Sequence, residues 1–121
     1  MNETFLYDTY ALMEIMNKNS NYKPYIDKKV IINEFIFSEF CYNLLRDKVK
    51  NPKEYLDELE LAIIRPDAFL IWEAMKFRHI NKKKKFSMTD CISYMMSKKI
   101  GVKFLTGDKE FNDLDNVEFV K

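Results

Sequence analysis

The segment 86–111, FSMTDCISYMMSKKIGVKFLTGDKEF, constrains this chain most, because one acid opens a helical pattern and another follows a strand pattern. Asp90 stands near the start of the predicted helix, and Asp108 comes shortly after the predicted strand. Asp8 likewise follows the apolar run at 5–7. In an open parallel sheet the carboxyl ends of the strands lie at one edge, where such folds build their sites. The three aspartates are therefore expected to meet.

Apolar spacing along the chain alternates between a strand pattern and a helical pattern. The predicted strands are 4–7, 30–32, 102–105 and 117–120, with helices starting near residues 9, 35, 52, 67 and 87 and a loop or helix tail at 17–29. The helix from residue 35 is predicted to bury one face, which carries Phe37, Phe40, Cys41, Leu44 and Leu45. The helix that Asp67 would cap has an apolar surface broad enough to predict two packing partners.

Length and composition limit the class of protein. With 121 residues and 47% hydrophobic side chains, the chain is long enough for one domain, 1–121, and too short for two. Its net charge of +1 creates no overall field that would attract nucleic acid, so such binding would depend on a local patch. Cys41 and Cys91 lack metal-ligand spacing and are expected to be free, buried thiols. Without a leader-like start or an apolar segment of roughly 18 residues, the protein is expected to be soluble and cytoplasmic.

Four short motifs occur in a fixed order over nearly the whole chain: LYDT at 6–9, SEF at 38–40, SMTD at 87–90 and TGDKEF at 106–111. Together they resemble the PIN domain, the small nuclease fold of VapC-type toxins and of several RNA-processing enzymes. The resemblance implies an α/β fold of three layers, α/β/α, with a short, mostly parallel central sheet flanked by helices. It also implies a homodimer and a small antitoxin chain that covers the active site.

Each aspartate taken alone is more simply explained as a helix cap or a first-turn acid. Their expected convergence changes that interpretation, because unpaired carboxylates at close range repel one another and a cation would neutralise them. Oxygen ligands without histidine or cysteine favour Mg²⁺ or Mn²⁺ over Zn²⁺. We therefore expect Asp8, Asp90 and Asp108 to bind Mg²⁺ or Mn²⁺ and to be catalytic.

A fourth acid is left open by the residues themselves. Glu34 and Glu39 lie about 140° apart around the predicted helix and cannot both face the site. The PIN pattern has its glutamate in the motif that matches 38–40, which selects Glu39 as the fourth catalytic and metal-binding acid. The same pattern implies that Thr106 orients the site, and Thr9 is a second candidate for that role.

Such a carboxylate site predicts metal-dependent hydrolysis of phosphodiesters that leaves a 5′-phosphate and a 3′-hydroxyl. The only histidine, His79, cannot by itself supply the acid and base of metal-free cleavage. By resemblance the substrate is RNA, single-stranded or in a loop, and the protein is the toxin of a toxin-antitoxin pair. The basic residues expected to contact RNA are Lys82, Lys83, Lys84, Lys85 and Lys109, although a solvated loop is the alternative for the lysine run.

Two other functions fit parts of the sequence. If the acids are only caps, the chain is a catalytically silent PIN-like module that binds protein or RNA. The aromatic surface around Phe69, Trp72 and Phe77 would then contact a partner, and the Trp72 helix with the helix at 55–63 is the expected dimer face. A phosphorelay receiver domain would need adjacent acids after the first strand and an aspartate ending a central strand, which the chain lacks.

Overall fold

A four-stranded parallel sheet forms the centre of the computed structural model, which describes residues 3–121. The strands are β1 (Thr4–Tyr7), β2 (Lys29–Ile31), β3 (Lys103–Thr106) and β4 (Val117–Phe119). Their order is β2-β1-β3-β4, and every neighbouring pair is parallel. Leu6 in β1 lies opposite Ile31 on one side and Phe104 on the other.

Within residues 3–121, five helices connect and cover the strands. They are α1 (Thr9–Met16), α2 (Glu34–Arg46), α3 (Pro52–Glu60), α4 (Ala68–Ile80) and α5 (Met88–Ile100), with short 3₁₀ segments at Ser20–Tyr25 and Lys109–Phe111. The adjacent β1 residues Phe5, Leu6 and Tyr7 are all buried. Because successive side chains of a strand point to opposite faces, the sheet must be covered on both sides. The predicted three-layer α/β/α architecture is confirmed.

The strand order creates a crevice between β1 and β3. From β1 the chain passes to β2 on one side, and it later returns to β3 on the other side. Connections that leave two adjacent parallel strands in opposite directions open a gap at the carboxyl ends, the usual ligand-binding place in such sheets. Asp8 follows β1 directly and Asp108 follows β3 after one residue, so the topology brings both acids to this gap.

Local capping explains where the helices begin and end. The Asp67 side chain accepts a hydrogen bond from Leu70 N at the start of α4. Ser87 and Asp90 form a capping box at the start of α5, as their spacing predicts. Gly101 ends α5 with a φ of 85°, a conformation that glycine adopts without a steric cost. These predicted boundaries are confirmed.

Two predictions about packing and one about secondary structure are wrong or incomplete. Leu45 is 74% exposed, because the buried stripe of α2 consists of Ile36, Phe40 and Leu44 and the next residue lies a further 100° around the helix. Phe69 and Trp72 are 65% and 62% exposed, so within residues 3–121 only one side of α4 has a packing partner. The segment at 17–29, predicted as a loop or a helix tail, contains the 3₁₀ segment Ser20–Tyr25 and the first residue of β2.

The remaining predictions concern thiols and membranes. Cys41 and Cys91 are free, and Cys91 is buried while Cys41 is only partly buried. None of the helices within residues 3–121 has both the length and the apolar character needed to cross a bilayer.

Candidate active site

An open cleft of about 400 Å³ lies at the carboxyl ends of β1 and β3, and we call it the acidic cleft. The residues that line it are Asp8, Thr9, Tyr10, Glu39, Thr89, Asp90, Ser93, Gly107, Asp108, Lys109 and Lys121. All four acids that the sequence selects are among them. They come from the start of α1, the middle of α2, the start of α5 and the turn after β3, so each is positioned by a different element.

Asp8 is the most buried of these acids, with 7% of its surface exposed. Its Oδ1 accepts a hydrogen bond from Ala11 N at 2.8 Å, which caps α1. Its Oδ2 accepts one from the Thr106 hydroxyl at 2.5 Å. The pKa of Asp8 is raised to about 7: burial is the main cause, the two hydrogen bonds oppose the shift, and the nearby Asp90 and Asp108 carboxylates add to it.

Thr106 connects the two strand ends. Its hydroxyl donates to Asp8 and accepts a hydrogen bond from Asp108 N at 3.0 Å. The Asp108 Oδ1 atom in turn accepts from Glu110 N at 3.0 Å. The threonine is fully buried and links the two acid-bearing turns, and its role in orienting the site stays a prediction.

Asp90 belongs to the capping box of α5, where one of its oxygens accepts a hydrogen bond from Ser87 N at 3.0 Å. Burial raises its pKa, and the charges of Asp108 and Glu39 add to that effect, although the Ser87 hydrogen bonds act in the opposite direction. The cap thus stabilises a carboxylate that its other neighbours destabilise. The structure shows the capping role of Asp90, and its predicted catalytic role stays a prediction.

Only one of the two glutamates of α2 reaches the cleft. Glu39 Oε1 accepts a hydrogen bond from the Thr9 hydroxyl at 2.7 Å, which joins α2 to the start of α1. Glu34 instead lies near Arg65, with 3.5 Å between the Glu34 carboxylate and the Arg65 Nε atom. The structure therefore separates the two alternatives that helix geometry leaves open, with Glu39 at the cleft.

The family model of the PIN domain matches residues 5–117 of this chain. The chain belongs to the PIN domain family. No curated protein sequence matches it.

Solved structures share the fold of this PIN domain. VapC20 of Mycobacterium tuberculosis, a sarcin-ricin loop cleaving toxin, superposes with a TM-score of 0.79 at 17% identity over 97% of this chain and 99% of its own. A toxin-antitoxin complex from Klebsiella pneumoniae gives 0.78 at 16% identity over 94% and 95%. A Pyrobaculum aerophilum protein gives 0.68 at 13% identity over 98% and 92%. At these identities the likeness extends to the fold alone.

The donor atoms of the PIN domain's cleft suit a hard divalent cation. Carboxylate oxygens are the preferred ligands of Mg²⁺ and Mn²⁺, and a cation would offset the burial and the mutual repulsion that raise the pKa of Asp8 and Asp90. Within residues 3–121, no three His, Cys, Asp or Glu side chains are already arranged to hold a metal ion. The donor set fits the ion in chemistry, and binding would have to draw the carboxylates together.

Two lysines supply positive charge at the cleft. Lys109 follows Asp108 and lines the cleft, and its contact with RNA stays a prediction. Lys121 was not predicted; its Nζ donates to Gly107 O at 3.2 Å and lies 5.5 Å from the centre of the Tyr10 ring. Gly107 permits this arrangement, because a Cβ there would lie 2.6 Å from Val120 O and closer still to Tyr10.

The consecutive lysines at 82–85, here called the lysine tract, do not line the cleft. Lys84 Nζ lies 2.9 Å from the Asp113 carboxylate and also donates to Glu110 O at 3.3 Å. Lys82 and Lys84 instead border a separate hollow that also contains Arg78 and His79. Their contact with RNA stays a prediction.

Several cleft residues lie outside the predicted set. Ser93 could have been found, since it follows Asp90 by three residues and shares its helical face. Thr89 is its direct neighbour in the motif at 87–90. Gly107 belongs to the motif at 106–111. Tyr10 and Lys121 carry no local signal, because they approach Gly107 through the packing of α1 against the turn after β3.

Proposed function

We propose that this PIN domain is an Mg²⁺- or Mn²⁺-dependent endoribonuclease, with residues 1–121 acting as one nuclease domain. The observation that carries the proposal is the convergence of Asp8, Glu39, Asp90 and Asp108 on one cleft. Carboxylates held together with raised pKa values are costly to a fold, and such groups concentrate at functional sites. When bound there, the divalent ion would supply an activated water and stabilise the leaving oxygen of a phosphodiester.

The protein's own groups orient this chemistry. Thr106 and the start of α1 fix Asp8, and Thr9 fixes Glu39, so these carboxylates face the cleft without choosing among many rotamers. Lys109 and Lys121 place positive charge beside the acids, where they would attract the phosphate of the substrate. His79 lies in a different hollow, so histidine does not compete for the role of general base. The expected products carry a 5′-phosphate and a 3′-hydroxyl.

The family and the solved structures that share its fold support a proposal about the biological setting. We propose that the nuclease is the toxin of a toxin-antitoxin pair, acts on RNA in the cytoplasm, and is restrained by a small antitoxin chain. We further propose a homodimer formed through α3 and α4. The exposed Phe69 and Trp72 side chains support a partner at this face, because large exposed apolar groups in proximity commonly mark protein interfaces. They equally support the alternative of a PIN-like module that only binds partners.

The experiment that tests the proposal is cleavage of a mixed RNA pool by the purified protein in Mg²⁺, Mn²⁺ or EDTA, with Asp90→Asn alongside. We expect cutting with a divalent ion, none in EDTA, and 5′-phosphate ends in sequenced products. Ends carrying a 2′,3′-cyclic phosphate would contradict the mechanism. Cleavage by the Asp90→Asn variant would show that Asp90 is not a catalytic residue. The absence of cleavage under every condition would favour the partner-binding alternative.

A further inference from the structure

A second hollow adjoins the acidic cleft along the outer side of α2. It has a volume of about 460 Å³ and is lined by Thr9, Ser38, Glu39, Tyr42, Asn43 and Arg46. Thr9 and Glu39 line both the hollow and the acidic cleft. A chain-like ligand that passes over the acids can therefore continue into this hollow without leaving the protein surface.

Helix geometry aligns the lining side chains. Asn43 and Arg46 follow Glu39 by four and seven residues, and Tyr42 follows it by three, so all of them lie on one face of α2. From Glu39 to Arg46 the helix rises about 10 Å at 1.5 Å per residue. The side chains thus form a track that leads outward from the acids.

Tyr42 has no evident structural role. Its side chain is 64% exposed. Ten aromatic pairs are formed within residues 3–121, and Tyr42 takes part in none of them. An aromatic ring that offers its face to solvent beside a polar groove is suited to stacking on a nucleic-acid base.

The neighbouring polar groups complement that ring. The side-chain amide of Asn43 makes no hydrogen bond to any group within residues 3–121, so its N–H donors and its carbonyl acceptor are available. Arg46 is oriented by Asp47, whose oxygens accept from Nε at 2.9 Å and from Nη2 at 3.2 Å. The guanidinium keeps further N–H donors for a phosphate.

We propose that Tyr42, Asn43 and Arg46 form a nucleotide subsite that takes one unstacked base of single-stranded RNA and its phosphate next to the bond to be cut. Tyr42 stacks on the base, Asn43 contacts the base edge, and Arg46 contacts the phosphate. This inference rests on the proposed ribonuclease function and extends it to a single-stranded substrate. A helix from a protein partner fits the hollow less well, because hydroxyl, amide, carboxylate and guanidinium groups line it and only one aromatic ring is present.

The test measures binding without requiring cleavage. A fluorescently labelled single-stranded RNA oligonucleotide is titrated into Asp90→Asn protein, with fluorescence anisotropy as the readout and a double-stranded oligonucleotide in parallel. Adding Tyr42→Ala should weaken single-strand binding about tenfold, within the range known for one base stacked on an aromatic side chain. Tyr42→Phe should retain it, because phenylalanine keeps the ring. Leu45→Ala is the matched control, since Leu45 is 74% exposed on the same helix but outside the hollow.

The outcomes separate this proposal from the function on which it rests. Equal binding by the Tyr42→Ala and Leu45→Ala proteins overturns the subsite, even if the parent cuts RNA. Loss of binding in Tyr42→Phe as large as in Tyr42→Ala also overturns stacking. If Tyr42 governs single-strand binding but the parent never cuts, the subsite stands and the nuclease function fails. In an active parent, Tyr42→Ala should raise KM about tenfold and leave kcat nearly unchanged.

Discussion

The acids of the acidic cleft come from four places spread over 100 residues of sequence, whereas the lysine tract is four consecutive residues. The fold brings the distant acids together and lets the adjacent lysines separate. Lys84 pairs with Asp113 and shares a hollow with Lys82, whereas Lys83 and Lys85 do not line that hollow. Parallel strand ends meet by construction, but successive residues of an irregular segment have no common direction. Nearness in sequence therefore does not predict which charged side chains lie close together in the fold.

The two regions also differ in electrostatic balance. In the cleft, burial and like charge raise the pKa of Asp8 and Asp90. At the lysine tract, the hydrogen bond from Lys84 and its positive charge lower the pKa of Asp113. The fold thus stabilises its charges at the tract and tolerates repulsion in the cleft. Unfavourable charge that a structure retains is the stronger functional signal of the two.

The largest expected effect comes from neutralising one cleft acid and comparing it with a cap elsewhere. Asp90→Asn should lower the cleavage rate by on the order of 10²- to 10³-fold, as removal of one charge-stabilising group does. It should not lower the free energy of unfolding in metal-free buffer, because burial raises the Asp90 pKa and the asparagine side-chain oxygen can still accept the hydrogen bond from Ser87 N. Rates and urea midpoints measured side by side check both statements.

Asp67→Asn is the control for this comparison, since Asp67 caps α4 but has a lowered pKa, from its hydrogen bond with Leu70 N and the charge of Lys99. It should keep full cleavage and lose some stability. If Asp90→Asn loses as much stability as Asp67→Asn, the cleft acids are ordinary caps and the contrast fails.

Asp8 predicts a pH dependence of stability that the lysine tract does not share. Its folded pKa of about 7 lies above the unfolded value, so the folded state holds a proton that the unfolded state releases. In EDTA, the free energy of unfolding should therefore fall as pH rises from about 4 to about 7 and then level off. At about 1.4 kcal/mol per pKa unit, the whole change is about 4 kcal/mol.

Other carboxylates also titrate in this range, so the quantity to measure is the difference between the parent and Asp8→Asn. Urea unfolding of both proteins at several pH values should show the variant gaining on the parent up to pH 7. Parallel curves would mean that Asp8 is not destabilised in the fold.

A smaller effect is expected at Gly107, which lets the cleft close around Tyr10 and Lys121. Gly107→Ala should cost about 1–3 kcal/mol of stability through overpacking, and it should also reduce cleavage because the turn carrying Asp108 must shift. Gly101→Ala is a useful control, since its φ of 85° strains alanine but no atom lies within 4 Å of the added carbon. Thermal melting and cleavage assays should show both variants destabilised and only Gly107→Ala impaired, and equal activity would separate Gly107 from the cleft.

The smallest effect belongs to the lysine tract. Lys84→Ala should lower the melting temperature slightly, by less than Gly107→Ala, because it removes the contacts to Asp113 and Glu110 O. Lys83→Ala should leave the melting temperature unchanged, and added salt should shrink the difference between the two variants. A difference that persists in high salt would show that Lys84 acts through packing rather than through charge.

The sequence predicts this molecule well where a residue's position depends on its neighbours along the chain or on a general rule of strand topology. The capping box of Ser87 and Asp90 is local, and Asp8 and Asp108 meet because both follow strands of one parallel sheet. The prediction that Leu45 is buried is wrong, because apolar spacing alone does not reveal which half of a wide apolar face meets the sheet. Lys121 could not be placed either, since its approach to the cleft depends on how β4 pairs with β3.

The central position of β1 has a consequence for when this site comes into being. β1 precedes the other strands of this sheet in the sequence, yet its partner β3 and the threonine that contacts Asp8 lie almost 100 residues later, with a sequence separation of 98 between Thr106 and Asp8. Such non-local pairing cannot form before the later segment exists, and it forms slowly. A nascent chain that has not yet produced β3 therefore carries Asp8, Glu39 and Asp90 but cannot bring them together with Asp108 in one cleft.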